Sequence, residues 1–148
     1  LLRGKDRIVA MDIVDPDSKL LVISKKGFGK LTYLKSYRLQ GRGGSGIKTL
    51  NVTRKTGTVT AAEVIADSDQ VYLVSTRAQV LRTSLSEIRS TGRATQGVTI
   101  FKMEPGDSVA SIACVKDFDE TEDATSELIP SATGQDNGGT PKRDITGA

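Results

Sequence analysis

The sequence predicts an all-β protein assembled as a propeller-like array. Three features point there: an internal repeat with an offset of 51 residues, four strand-like runs in each copy, and apolar runs that lack regular alternation. Shifted by 51, residues 3–52 fall on residues 54–103 without a gap. Ala10 meets Ala61, Ser24 meets Ser75, Thr32 meets Thr83, Leu34 meets Leu85 and Arg38 meets Arg89. Gly41-Arg42 falls on Gly92-Arg93, and Gly46 on Gly97. Most other pairs are apolar on apolar, as with Ile8 and Val59, Ile23 and Val74, or Leu50 and Phe101. From Pro105, PGDSVASIACVKD opens a third unit that stops after one strand, at residues 105–117.

In the first copy the expected strands are residues 7–14 (RIVAMDIV), 19–25 (KLLVISK), 28–34 (FGKLTYL) and 46–52 (GIKTLNV). The turn signals DPDS and KKGFG separate the first three. Runs rich in Val, Ile and Leu without a period of two are those of strands covered on both faces, as blades of an array cover one another. The expectation is therefore two blades of four antiparallel strands plus the start of a third unit, spanning residues 1–117. From Asp117 on, Asp, Glu, Ser, Thr, Gly and Pro dominate, too little apolar content to offset the entropy of ordering, so residues 118–148 read as a disordered acidic tail. The opening LLRGKDRIVAMD has no initiating Met and no signal-peptide layout, and reads as the start of a piece of a longer protein.

Composition excludes several chemistries. With no histidine, the Ser-His and Cys-His nucleophile pairs and the commonest zinc ligand are missing. The single Cys114 cannot close an internal disulfide, which fits a reducing cytoplasm, and no apolar run approaches the ~20 residues of a membrane span. The net charge of +3 is unevenly spread. Residues 116–148 carry 3 basic and 8 acidic residues, a net −5, whereas residues 1–115 carry 18 basic and 10 acidic, a net +8. A basic body with an acidic tail suggests a polyanionic partner and an internal competitor for it.

The stretch QGRGGSGIKT, residues 40–49, imitates two nucleotide motifs. Gly41, Gly43 and Gly46 fit G-x-G-x-x-G, but that fingerprint opens a helix, and here strand-like IKTLNVT follows. A P-loop needs Gly, Lys and Ser/Thr in succession, and Ile47 interrupts them. Glycines alone would serve a loop that needs positive φ. That does not account for Arg38, Arg42 and Lys48 around them, or for Arg89 and Arg93 recurring in register. A loop whose backbone and arginines approach phosphate oxygens accounts for both.

YRLQGRGGSGIKTLNVT, with IRSTGRATQGVTIF one repeat later, resembles the C-terminal domain of DNA gyrase A subunits. The gyrase A box of that family is Q-R-R-G-G-K-G. This chain reads Gln40-Gly41-Arg42-Gly43-Gly44-Ser45-Gly46, matching five of seven positions and losing a positive charge at Gly41 and at Ser45. The resemblance covers about residues 3–117 and implies a β-pinwheel fold around whose basic rim DNA is wrapped. Because the intact box belongs to the first blade, the departures imply late blades, with the true box upstream. In the parent enzyme, ATP and Mg²⁺ serve other domains, and no cofactor is expected in this part. The implied partners are duplex DNA, the remaining blades, the breakage-reunion domain and the gyrase B subunit, in a bacterial cytoplasm close to the nucleoid. The family's cleaving tyrosine lies in the breakage-reunion domain, so Tyr33, Tyr37 and Tyr72 read as packing or surface residues. Two readings stay open: the related subunit of topoisomerase IV, whose domain lacks the box, and a propeller-like scaffold for protein partners.

The expected DNA contacts are Arg38, Gln40, Arg42, Lys48, Arg89 and Arg93 from the two loops, with Lys25, Lys26 and Lys30 around the turn KKGFGK and Arg77 and Arg82 at similar places in the second copy. Six aromatic residues in the chain offer no platform for stacking unpaired bases, which favours a duplex held by its phosphates. Bending ~20–30 base pairs costs several kcal/mol, and basic loops repeated at blade spacing are what wrapping needs.

Overall fold

Two β-hairpins, related by the repeat, form the frame of the computed structural model, which describes Gly4, residues 6–66, Ser68 and residues 70–116. The first is β1 (Lys19–Ser24) with β2 (Phe28–Tyr33), and their register runs from Lys19 opposite Tyr33 to Ile23 opposite Gly29. Between them come β3 (Val59–Ile65) and then the second hairpin, β4 (Gln70–Ser75) with β5 (Val80–Ser84), whose register runs from Gln70 opposite Ser84 to Val74 opposite Val80. Every partner is displaced by 51, so the repeat seen in the sequence is a repeat of pairing. Each hairpin ends in one 3₁₀ turn, Leu34–Ser36 and Leu85–Glu87. β6 (Val98–Thr99) and β7 (Val109–Val115) complete the order.

The hairpins turn the same way because the same side chain closes them. Ser24 Oγ accepts the Phe28 N–H at 3.2 Å, and its counterpart Ser75 Oγ accepts the N–H of Arg77 and of Gln79, each at 3.2 Å. Both turns need one residue at positive φ, and Gly27 supplies it at +76°. A side chain there is excluded twice over, since a Cβ would lie 1.9 Å from the Phe101 carbonyl oxygen.

The sheets are all antiparallel, as expected, but they do not coincide with the sequence repeats. The first has the order β3-β1-β2-β6 and the second β5-β4-β7. Thus β3, the first strand of the second repeat, completes the first sheet, and β7, from the third unit, adds to β4 in the same way. A bulge falls at Ile23/Ser24 in one junction and at Val74/Ser75 in the other. The expected strand at residues 7–14 is not one, and Ile8, Met11 and Ile13 stand 72%, 93% and 91% exposed. Its counterpart β3 finds an open edge on β1, whereas residues 7–14 meet no such edge among the described residues. The expected strand at residues 46–52 also forms no ladder, although Leu50 is buried and the Asn51 N–H donates to Thr95 O at 2.9 Å. The second-copy counterpart of that run keeps only the two residues of β6. The proposed acidic tail, residues 118–148, lies outside the described residues.

The core lies where the sheets face each other. Leu21, Ile23, Leu31 and Ile65 from the first sheet meet Val71, Leu73 and Val109 from the second, with Leu85 and Ile88 closing one end. A fully buried residue of this size contributes about 1.5–3 kcal/mol. β1 and β2 are buried over most of their length, as expected for strands covered on both faces, while β4 alternates between buried and half-buried positions. β3 packs against β7, and there burial, then the charge and hydrogen bond of Glu63, push the Cys114 thiol up to about 12.

Candidate nucleic-acid interface

The loop after the second hairpin, residues 89–97, lies along β2 of the first sheet. The Leu31 N–H donates to Arg89 O at 3.3 Å, and the Thr91 N–H donates back to Leu31 O at 2.9 Å. The Thr32 hydroxyl donates to Thr91 O at 3.1 Å. Gly97, at φ +75°, passes so close that a Cβ would lie 2.5 Å from Gly29 O. Fastened in this way, the loop presents Arg89 exposed and Arg93 half-buried.

The first-copy loop, residues 38–46, is held differently. Arg38, Arg42 and Gly41 to Gly46 are exposed, Leu39 is fully exposed, and Gln40 is half-buried. Gln40 lies over the backbone of Gly44, where a Cβ would come within 2.4 Å of Gln40 Oε1. Residues Arg38 to Gly44 curl around a shallow concavity of about 340 Å³. Lys48 Nζ donates to Asn51 Oδ1 at 3.0 Å, which draws it to the root of the loop.

The two loops meet. The Arg93 guanidinium lies 5.8 Å above the ring of Tyr37, the residue preceding Arg38, and Tyr37 is itself hydrogen-bonded to Thr49. Together with the Asn51–Thr95 hydrogen bond, this brings the two loops together although they lie one repeat apart in the sequence. Tyr37, read from the sequence as a packing residue, is the shared platform. Its alignment with Ile88 concealed that role, because the stacking joins a residue of one copy to a residue of the next.

The turn residues form a separate group. Lys25 is exposed, while Lys26 Nζ donates to Arg54 O. Both stand at the β1–β2 turn, whereas loop 89–97 meets β2 at Leu31 through Arg89 and Thr91 and leaves it beside Gly29. In the second copy the Arg77 N–H donates to Asp107 Oδ1 at 3.2 Å, and Arg82 lies 5.8 Å over Tyr72 and donates to Gln70. Lys30 departs from expectation altogether. It is fully buried, and its ammonium donates to Gly92 O at 2.7 Å, to Arg93 O and to Thr95 Oγ1 at 3.2 Å. Burial lowers its pKa from the ordinary lysine value. A lysine with its donors committed beneath a loop does not reach a phosphate outside it, so Lys30 leaves the set of direct contacts. The signal was in the alignment: its counterpart is Leu81, so the position is not one of recurring surface charge.

Antiparallel sheets that borrow a strand from the next repeat, each followed by a glycine-arginine loop, define a strand-exchanging propeller module. The chain belongs to the family described as the DNA gyrase C-terminal domain, beta-propeller, which matches residues 18–66 and 69–116. It is 36% identical over 122 residues to the DNA gyrase A subunit of Mycolicibacterium smegmatis, covering 82% of this chain and 14% of that one. It is 31% identical over 137 residues to the DNA gyrase A subunit of Staphylococcus aureus, covering 91% of this chain and 15% of that one. A solved DNA gyrase A C-terminal domain superposes with a TM-score of 0.61 at 26% identity, over 66% of this chain and 33% of that chain. A C-terminal domain of DNA topoisomerase IV superposes with a TM-score of 0.62 at 21% identity, over 71% of this chain and 32% of that chain, a likeness of fold alone. The chain thus spans about one-seventh of the length of the gyrase proteins it matches.

Proposed function

We propose that this chain is a DNA-wrapping module that holds duplex DNA by its phosphates, with little dependence on sequence, within a type II topoisomerase of the gyrase kind. The observation that carries the reading is the joining of the two arginine loops, through Arg93 over Tyr37 and Asn51 to Thr95. Arg38, Arg42, Arg89 and Arg93 supply forked donors suited to phosphate oxygens, and the net +8 of residues 1–115 supplies the long-range attraction. Lys25, Lys26, Arg77 and Arg82 form a secondary basic edge, while Gln40 and Lys48 shape the first loop. Small, glycine-rich loops let a backbone approach another backbone, and they present no side-chain pattern for reading base edges.

In the parent enzyme the wrapped segment would be delivered to a cleavage gate and so direct ATP-driven negative supercoiling. ATP, Mg²⁺, the cleaving tyrosine and the gyrase B contact would all belong to other domains, in a bacterial cytoplasm beside the nucleoid. Binding of two unrelated duplexes of equal length tests the reading. Affinities within about threefold of each other support phosphate recognition, whereas strong preference for one sequence, or no binding to either, contradicts it.

A further inference from the structure

The buried lysine under the second loop has a consequence for the loop's outer surface. Lys30 donates to the carbonyl oxygens of Gly92 and Arg93, so both carbonyls point inward. There is no cis peptide bond among the described residues, and in a trans peptide the C=O and the following N–H point in opposite directions. The N–H groups of Arg93 and Ala94 therefore point outward, side by side, at the tip of the loop. Thr95 fixes this arrangement, because its hydroxyl donates to Gly92 O at 3.0 Å while its oxygen receives Lys30. The partners of the ammonium are three neutral oxygens, so no carboxylate among them cancels its charge, and its field reaches the outer face of the loop. Adjacent outward N–H groups backed by positive charge are the arrangement that receives an oxyanion.

We infer that residues 92–95 form a seat for one phosphate oxygen of the DNA backbone, with the Arg93 and Ala94 N–H groups receiving the oxygen and Lys30 holding the loop from beneath. Lys30 is thus a positioning residue. The Arg93 side chain, stacked on Tyr37, and the exposed Arg89 flank the seat. Among the described residues this is the one glycine-arginine loop with a buried lysine beneath it, and the Lys30 counterpart one repeat later is Leu81.

This inference rests on the duplex-binding reading, and its test separates the two. Backbone amide spectra of the whole chain would be followed while a short duplex is added at low salt, for the wild type and for Lys30→Met. The seat predicts that the Arg93 and Ala94 amide signals are among those that move most in the wild type. It also predicts that they stop responding in Lys30→Met, with the salt slope of binding lower by about one phosphate. Duplex binding that leaves both amides unmoved overturns the seat and spares the duplex-binding reading. Responses that persist in Lys30→Met overturn the role of Lys30. A folded wild-type chain that binds no duplex overturns both. The wild-type titration decides the seat whether or not the variant folds.

Discussion

At the scale of residues, the two hairpin turns fill their position of positive φ with different residues. Gly27 stands at φ +76° in the first, and in the second Ala78 holds φ +60°, a region where a Cβ crowds the following carbonyl. That conformation costs an alanine about 1–2 kcal/mol. Ala78→Gly gives part of this back through the looser unfolded chain, so we expect a net stabilisation of about 0.5–1 kcal/mol and a rise of a few degrees in Tm. Gly27→Ala is expected to do the opposite and lower Tm markedly, because its Cβ would meet Phe101 O at 1.9 Å. Asp107 gives a pH signature. Hydrogen bonds from the Ser75 and Thr76 hydroxyls, helped by the Ser108 and Arg77 N–H groups, hold its carboxyl down at about 2, below the ordinary 3.8. A depressed folded-state value contributes stability above the ordinary value and loses it as pH falls through the folded one. Thermal melts should therefore weaken between about pH 4 and 2, and Asp107→Asn should flatten that part of the profile; a variant that keeps the wild-type slope would contradict the assignment. Residue identity was legible where the repeat constrained it, as with Ser24 and Ser75. It misled at Lys30, since a lysine in a basic run looks the same whether it faces water or two carbonyls and a hydroxyl.

At the scale of elements, both hairpins were legible as strand, turn and strand, because apolar runs bounded by turn residues show where such strands begin and end. Sheet membership was not. A sequence shows which runs can be strands, but β3 joins β1 because an open edge is there, and nothing local distinguishes residues 59–65 from residues 8–14, their counterparts one repeat earlier. The run at 46–52 has strand composition, yet it carries the chain from the first loop towards Thr95. Because the core is shared between the sheets, neither should unfold alone. Leu21→Ala in β1 and Leu73→Ala in β4 remove fully buried side chains, and each is expected to cost about 2–5 kcal/mol. Amide signals of both sheets should then disappear in a single transition in each variant. Loss of one sheet at a lower temperature than the other would show two separate cores.

At the scale of the whole molecule, charge and repetition combine. The arginine loops were legible as a pair, since Arg38 and Arg42 recur as Arg89 and Arg93, but their meeting over Tyr37 was not, because that stacking crosses from one repeat to the next. The central claim is that these loops hold the phosphates of a duplex. Its most direct test is duplex affinity across a salt series, for the wild type and for the variant with Arg38, Arg42, Arg89 and Arg93 changed to Ala. Each phosphate that the protein no longer neutralises lowers the slope of log affinity against log salt by about 0.9. A steep wild-type slope that falls by about two to four units in the variant is the expected result. Equal slopes in the two proteins would contradict the claim.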